Sequence, residues 1–450
     1  MSKNTYLTNG YIGLFRFFYS FPTYTNLSHF CFLLFSCLFL FLGNPTLAAT
    51  PTPSLHLNEA IRAGLLHYPL KKEQDAYFTE KQSIASEIEQ IQNPTIRSSL
   101  RNNSTTQERE TEWEIEQAFR WSDISGSRRQ YAKEIREHAS LQYQYDQFIL
   151  RTELSRLFII AWKTSQQLAL YDRFIKELEP LARHIRQAAN QGQTSPASAE
   201  LFDADYRQLQ MDRSLRLNAK EQALLMLRQA TSLPLNEKTI LLTPDLPKIT
   251  TRYSAQELEK LASQSTNPYQ LDKHIYEQAK AQQKMATDDG YLPELSTGIS
   301  YTTIKDAHLN SQNRGISVSA RIPLWHQNQA ERLNAKSNLQ LAQAKQQAWN
   351  QRSFQAYLYQ FYAQFLGDQH RAYSYQHEIL PRYRNSYRLS QAMFKQGQLD
   401  AFALWQVKET LFKAEQESIE AVATTYESLW ALERGLGQSF SDVATAKAQQ

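Results

Sequence analysis

Apolar residues recur along this chain with two periods. In the second half, Phe354, Leu358, Phe361 and Phe365 recur at steps of four, three and four, which places them on one helix face. Gln, Lys, Arg and Ala fill the positions between, all tolerant of helix. The pattern predicts one helix over 328–394, roughly 100 Å long at a rise of 1.5 Å per residue. Its counterpart runs over 127–190, and return helices follow over 197–231 and 400–436. A shorter helix opens each half, over 56–91 with its lead-in and over 254–289. Such lengths do not fit inside a compact domain and imply helix packed along helix, as in a coiled coil. Pro180 and Pro381 fall inside the long helices and are expected to kink them, since proline removes an amide donor and crowds the preceding turn.

Four short segments alternate with period two. Trp113, Ile115, Phe119 and Trp121 sit two or four apart, with Glu112, Glu114 and Glu116 between the first of them. Ile316, Val318, Ala320, Ile322 and Leu324 alternate with Ser317, Ser319 and Arg321, and Leu295, Thr297, Ile299 and Tyr301 with Ser296 and Ser300. Ile96, Ser98 and Leu100 form the weakest of the four. A period of two with one polar face predicts a strand between two environments. Lengths near ten residues with aromatic ends suit an outer-membrane barrel. Trp113, Ile115, Phe119, Ile316 and Val318 would then face lipid, and Glu112, Glu114 and Glu116 the lumen. Four strands cannot close a barrel, whereas three chains supply twelve and leave no edge in lipid. The expected assembly is therefore a homotrimer. A soluble four-stranded sheet covered by a helix is the alternative.

The chain also repeats. Pro69 and Pro94 are 25 residues apart, as are Pro268 and Pro293, at an offset of 199. Pro180 precedes Gln191-Gly192-Gln193 as Pro381 precedes Gln396-Gly397-Gln398, at offsets of 201 and 205. The chain thus divides into a signal sequence (1–49), two repeats (50–250 and 251–437) and a flexible tail (438–450). The repeats carry strands over about 94–121 and 293–325, with helical turns near Gly192 and Gly397.

Composition narrows the picture. Only 13 Gly and 15 Pro in 450 residues mean few turns and long elements. With 49 basic and 45 acidic residues the net charge is +4, and no concentrated basic face points to nucleic acid. The apolar run Phe30–Leu42, preceded by Lys3 and Arg16 and followed by Leu47-Ala48-Ala49, reads as a secretory signal. A lipoprotein site at Leu34-Phe35-Ser36-Cys37 is disfavoured, because further apolar residues follow Cys37. Cys31 and Cys37 both lie in the signal, so the mature chain has no thiol chemistry. The rest of the chain has no apolar span of about 20 residues, so entry into a membrane requires strands.

Taken in order, these elements resemble the TolC-like outer-membrane efflux proteins over residues 54–437. The matching stretches are Leu55-His56-Leu57-Asn58-Glu59-Ala60-Ile61, Tyr291-Leu292-Pro293-Glu294-Leu295, Ile322-Pro323-Leu324-Trp325, the two turns, and Leu432-Glu433-Arg434-Gly435-Leu436-Gly437. Within the family the chain is most similar to the heavy-metal-efflux (CzcC-like) branch. That rests on Gly126-Ser127-Arg128-Arg129, where the branch carries Gly-Lys-Arg, and on Gly192-Gln193-Thr194-Ser195. The resemblance implies a mainly α protein with membrane β: a trimeric twelve-stranded outer-membrane barrel continuing into a long periplasmic α-helical barrel. It implies a passive exit duct for metal cations or small toxic compounds, joined through a periplasmic adaptor to an inner-membrane pump of RND type. A type I secretion duct for a polypeptide remains open, as does a structural periplasmic coiled-coil protein.

Nothing in the chain points to an enzyme or a cofactor. There is no phosphate loop and no nucleophile elbow. His56, His67, His184, His274, His308, His326, His370 and His377 are scattered, and no three ligands are expected to converge on a metal. His370 and His377 are seven apart and could share a helix face. The turns are the main candidates for function: Gly192, Gln193, Thr194 and Ser195, and Gly397, Gln398, Leu399 and Asp400, would contact the adaptor. Ser195 and Asp400 are expected to cap the return helices. Asp203, Asp205 and Asp400 would form acidic rings at the narrow periplasmic mouth of a trimer.

Overall fold

The computed structural model describes residues 54–440 apart from 106–107, 193–194, 237, 246–251, 306–309 and 326. The expected signal sequence therefore lies outside the described residues, as do residues 441–450. Gln438–Phe440, at the head of the expected tail, are packed: Phe440 is fully buried against Tyr253, Tyr362 and Phe365.

After a two-residue strand β1 (Ser54–Leu55), the first half runs α1 (Leu57–His67), α2 (Pro69–Glu89), β2 (Thr95–Asn103) and β3 (Glu108–Phe119). It continues through α3 (Trp121–Ser125), α4 (Ser127–Asn190), α5 (Pro196–Thr231) and β4 (Ile240–Leu241). The second half runs α6 (Ala255–Ala262), α7 (Pro268–Tyr291), β5 (Glu294–Lys305) and β6 (Asn310–Arg321). It ends with α8 (Gln329–Ala348), α9 (Gln351–Ser374), a π-helical segment (Tyr375–Ile379), α10 (Leu380–Lys395) and α11 (Ala401–Leu436). No helix among the described residues is long and apolar enough to cross a membrane.

Local chemistry sets most boundaries. Tyr68 is extended (φ −67°, ψ 128°) because Pro69 follows it, so the predicted 56–91 helix divides into α1 and α2. Asn267 opens α7 by accepting the Gln270 N–H at 3.1 Å, with Pro268 at the first helical position. Gly126 (φ 75°) lets the chain turn from α3 into α4, a left-handed conformation that a side chain would strain.

The predicted helix over 328–394 is interrupted twice. Trp349 leaves helical geometry (φ −111°, ψ 67°), and Asn350 starts a new helix by accepting the Ser353 N–H at 3.0 Å. The Trp349 ring packs on Phe354 and Tyr357 across the break, so the apolar periodicity continues where the backbone does not. The second interruption is the π segment, in which the Leu380 N–H bonds to the Tyr375 carbonyl one residue further back than in an α-helix. Pro381, which has no N–H to give, directly follows. Pro180 lies inside α4, which stays helical to Asn190.

The four long strands form one antiparallel sheet in the order β2-β3-β5-β6, and β1 pairs with β4 in parallel. The β3–β5 pairing runs from Arg109–Lys305 to Phe119–Leu295 and joins the two halves of the chain. Below the sheet, the main core gathers α1, α4, α5, α6, α9 and α11 around Phe158, Phe354, Leu358 and Phe365. A second core lies near the two helical turns.

At the foot of the sheet, the buried Arg128 guanidinium ties four helices together. It contacts Asp123 of α3 at 3.0 Å, Asp289 of α7 at 2.9 Å, Ser122 Oγ at 3.2 Å and the Ile88 carbonyl of α2 at 3.4 Å. The Ser122 N–H also donates to Asp289, at 3.1 Å. Arg128→Met would leave two buried carboxylates without their cation, at a cost of about 3–5 kcal/mol. In guanidinium titrations followed by circular dichroism, the unfolding midpoint should fall sharply in Arg128→Met. It should recover in part when Asp123→Asn and Asp289→Asn are added. A midpoint unchanged by Arg128→Met would show that the cluster does not hold this junction.

Candidate functional site

Strand register gives the sheet two chemically distinct faces. Ile96 pairs with Ile115, Ile115 with Ile299, and Ile299 with Ile316, so one row of isoleucine crosses all four strands. These side chains are 65%, 54%, 69% and 86% exposed. Trp113 and Val318 lie on the same face and are also exposed, while Phe119 is half-buried opposite Leu295. Strand alternation puts Glu112, Glu114 and Glu116 on the other face. Glu112 accepts from Ser99 Oγ at 3.2 Å, Glu114 from Ser317 Oγ at 3.2 Å, and Glu116 from Ser296 Oγ at 2.5 Å. Arg97 stands 3.1 Å from Glu116 and 3.7 Å from Glu114. The acidic column is thus held by hydroxyls and a guanidinium from strands on either side. Among the described residues, the outer backbone edges of β2 and β6 have no partner strand.

The helical turns are the second feature. Gly192 (φ 71°) and Gly397 (φ 73°) both adopt the left-handed conformation, and an added Cβ would meet no atom within 4 Å at either. Glycine is needed there for backbone conformation rather than for space. The Gly397 N–H bonds to Phe394 O at 3.0 Å and the Gln398 N–H to Met393 O at 2.9 Å, closing α10. Asp400 then caps α11, accepting the Ala403 N–H at 2.8 Å. Ser195 stands at the cap position of α5, but its hydroxyl accepts no capping bond. Its carbonyl receives the Ser198 and Ala199 N–H groups instead, and Pro196 pre-sets the first helical residue. Gln193 and Thr194 lie outside the described residues. The two turns are neighbours: Phe202 of α5 meets Trp405 of α11 edge-on at 5.5 Å, and Leu399 and Phe402 pack on the same core.

Charges near the turns are largely paired within the chain. Asp203 accepts from Arg186 of α4 and lies 3.0 Å from Arg207. The Arg186 hydrogen bond holds its carboxyl below the usual range, with Arg207 adding to the effect against burial. Asp205 behaves oppositely: burial and the nearby Glu409 push its carboxyl up, against Lys413. Higher in the bundle, Lys408 is almost fully buried, 2.7 Å from Glu177 and between the Phe174 and Tyr387 rings. Glu415 bridges Arg173 and Arg384.

The histidines were expected to be scattered with no three ligands converging, yet His274 meets two carboxylates. Glu134 and Glu137 of α4 converge with His274 of α7, with ligand atoms within 4.8 Å of one another. Beside them stands His138, whose imidazole pKa is pushed down first by burial and then by the charge of His274. Only the i, i+3 and i, i+4 spacings on α4 were visible in advance, because α7 is far away in sequence. His370 lies in α9 and His377 in the π segment, where the extra residue per turn alters their phase. His308 and His326 lie outside the described residues.

No family model and no curated protein matches this chain. Solved structures do. The outer membrane protein VceC from Vibrio cholerae superposes with a TM-score of 0.66 at 12% identity, over 85% of this chain and 96% of that one. The Campylobacter jejuni CmeC outer membrane channel gives 0.64 at 12% identity, over 87% and 88%. The Neisseria gonorrhoeae MtrE outer membrane channel, in its open state, gives 0.61 at 16% identity, over 85% and 89%. At such low identity the likeness establishes the fold.

The Asp203 pairing makes a pH prediction. Its carboxyl titrates below its unfolded value near 3.9, so its stabilisation is complete above that value and is lost as pH falls through the folded one. Asp203→Asn should lower the denaturation midpoint by the same amount at pH 6 and pH 8. The gap to the wild type should close as the solution is taken below about pH 4. A gap that persists unchanged at pH 3 would exclude the ion pairs as its source.

Proposed function

We propose that this chain is one subunit of a homotrimeric outer-membrane exit duct of the TolC-like class, seated in the outer membrane and extending into the periplasm. The two-faced sheet with unpaired outer edges carries this reading. A row of exposed isoleucines suits hydrocarbon, and an acidic, hydroxyl-lined face suits a water-filled lumen. Neither edge can remain open in lipid, where every backbone N–H and C=O must be paired. Three copies pairing β6 of one with β2 of the next close a barrel of twelve strands. Strands of 9–12 residues are long enough to span the bilayer when tilted. The structural neighbours, described as outer membrane channels, support the same assignment. A purely structural coiled-coil protein would leave the sheet without a purpose.

In this reading the two halves are homologous repeats, and the long helices of three chains make a periplasmic barrel. The paired turns at Gly192 and Gly397 meet an adaptor bound to an inner-membrane pump, of RND type by resemblance to the heavy-metal-efflux branch. The duct passes metal cations or small toxic compounds without performing chemistry on them. Asp205 and Asp400 are the better ring candidates, because the Asp203 charge is already matched by two arginines.

Two outcomes test this assignment. Ile115→Arg and Val318→Arg should each cost about 2–4 kcal/mol near the bilayer midplane, and the trimer should disappear from the outer-membrane fraction. Glu114→Gln should leave the trimer in place and change only its conductance in planar bilayers. Equal losses at all three positions would overturn the facing assignment, and a wild-type protein released as a soluble monomer by osmotic shock would remove the barrel.

The turns have their own test. Gly397→Val strains a left-handed residue by about 1–2 kcal/mol, too little to unfold long packed helices but enough to misplace Gln398, Leu399 and Asp400. Trimer levels should be normal, while export and cross-linking to the adaptor from a cysteine at Gln398 should be lost. Unchanged resistance with unchanged cross-linking would move the adaptor contact elsewhere on the helices.

A further inference from the structure

The seam between α4 and α7, just below the sheet, holds more metal-binding chemistry than its packing requires. Glu134 and Glu137 lie three residues apart on α4, and His274 faces them from α7. His138 follows Glu134 by four residues, on the same side of α4. Among the described residues, the buried Nδ1 of His274 and Nε2 of His138 have no hydrogen-bond partner. Buried polar atoms of this kind normally find one, and an orphan needs a cause. The carboxylates are not saturated. Glu134 accepts from Gln130 through one oxygen, and Glu137 has Lys133 at 3.6 Å, also at one oxygen.

We propose that Glu134, Glu137 and His274 bind a first-row divalent transition cation, such as Zn²⁺. Imidazole nitrogen with carboxylate oxygen is a donor set for zinc, copper or nickel, and favours these over magnesium or calcium. Tetrahedral bonds of 2.0–2.2 Å place ligand atoms about 3.4 Å apart. The present separations of no more than 4.8 Å therefore close with side-chain movement of roughly 1 Å and no shift of either helix. A bound cation would clip α4, which leaves β3, to α7, which leads into β5. The clip would reinforce the junction that Arg128 already ties. This inference stands on the seam alone and does not depend on what the protein transports.

The experiment uses full-length mature protein in detergent, without an affinity tag and stripped by chelator. It is titrated calorimetrically with ZnCl₂, NiCl₂ and MgCl₂. Zinc should bind saturably at one site per chain and raise the melting temperature, and magnesium should do neither. His274→Asn and Glu137→Gln should each weaken zinc binding by at least about tenfold and abolish the thermal shift. His370→Asn should bind as the wild type does. Glu137 is partly exposed, so its substitution still tests the site if His274→Asn does not fold. Absence of a saturable zinc site would overturn the proposal. So would zinc binding unchanged in Glu137→Gln, or magnesium binding as tightly as zinc.

Discussion

Backbone pairing between β3 and β5 is the constraint on which the rest of this chain depends. Residues 109–119 and 295–305 are far apart in sequence, yet they lie side by side at the centre of one sheet. Once they pair, α4 must leave the sheet beside α7, and the buried cluster of Arg128, Asp123 and Asp289 can form. The same pairing fixes the register that aligns four isoleucines on one face and three glutamates on the other. A slip of one residue would exchange the faces and place carboxylates among the apolar side chains.

Along the helices the chain handles charge in a consistent way. Long amphipathic helices cannot keep every ionic group in solvent, so those near the seams are matched across them. Lys163 of α4 reaches Glu420 of α11 at 2.6 Å, Arg213 of α5 reaches Asp172 of α4 at 2.5 Å, and Arg371 of α9 reaches Glu417 of α11 at 2.6 Å. Exposed pairs of this sort contribute little each, up to about 1 kcal/mol. Their value lies in register, since sliding one helix by a turn would break several at once. Lys408 differs in kind. Its ammonium is nearly fully buried, and Glu177 and two aromatic faces offset its desolvation.

Among the described residues, the isoleucine face of the sheet and the strand edges at β2 and β6 are left unmatched. An exposed apolar face of this extent marks an interface with something apolar, and open edges mark pairing with further strands. The turns at Gly192 and Gly397 present a different surface, polar and supported by the aromatic core of Phe202, Trp405 and Phe412. The duct proposal accounts for all of these surfaces.

Sequence alone determined what depends on one element at a time. Strand parity put Trp113, Ile115 and Val318 on one face and Glu114 on the other, because alternation belongs to the strand itself. Gly192 and Gly397 were legible as helix reversals because glycine relieves a local backbone strain, and Asp400 as a cap because it bonds three residues ahead. Local signals also misled. The Phe354–Phe365 face read as part of one long helix, since apolar periodicity continues across the break at Trp349–Asn350 while the backbone hydrogen bonds do not. Tertiary structure decided everything that required a partner from a distant element. It gave Asp203 to Arg186, buried Arg128 between two aspartates, set Phe202 against Trp405 so that two separate turns became one surface, and brought His274 to Glu134 and Glu137. Periodicity states which side of a helix seeks burial; only packing states which distant residue it will meet.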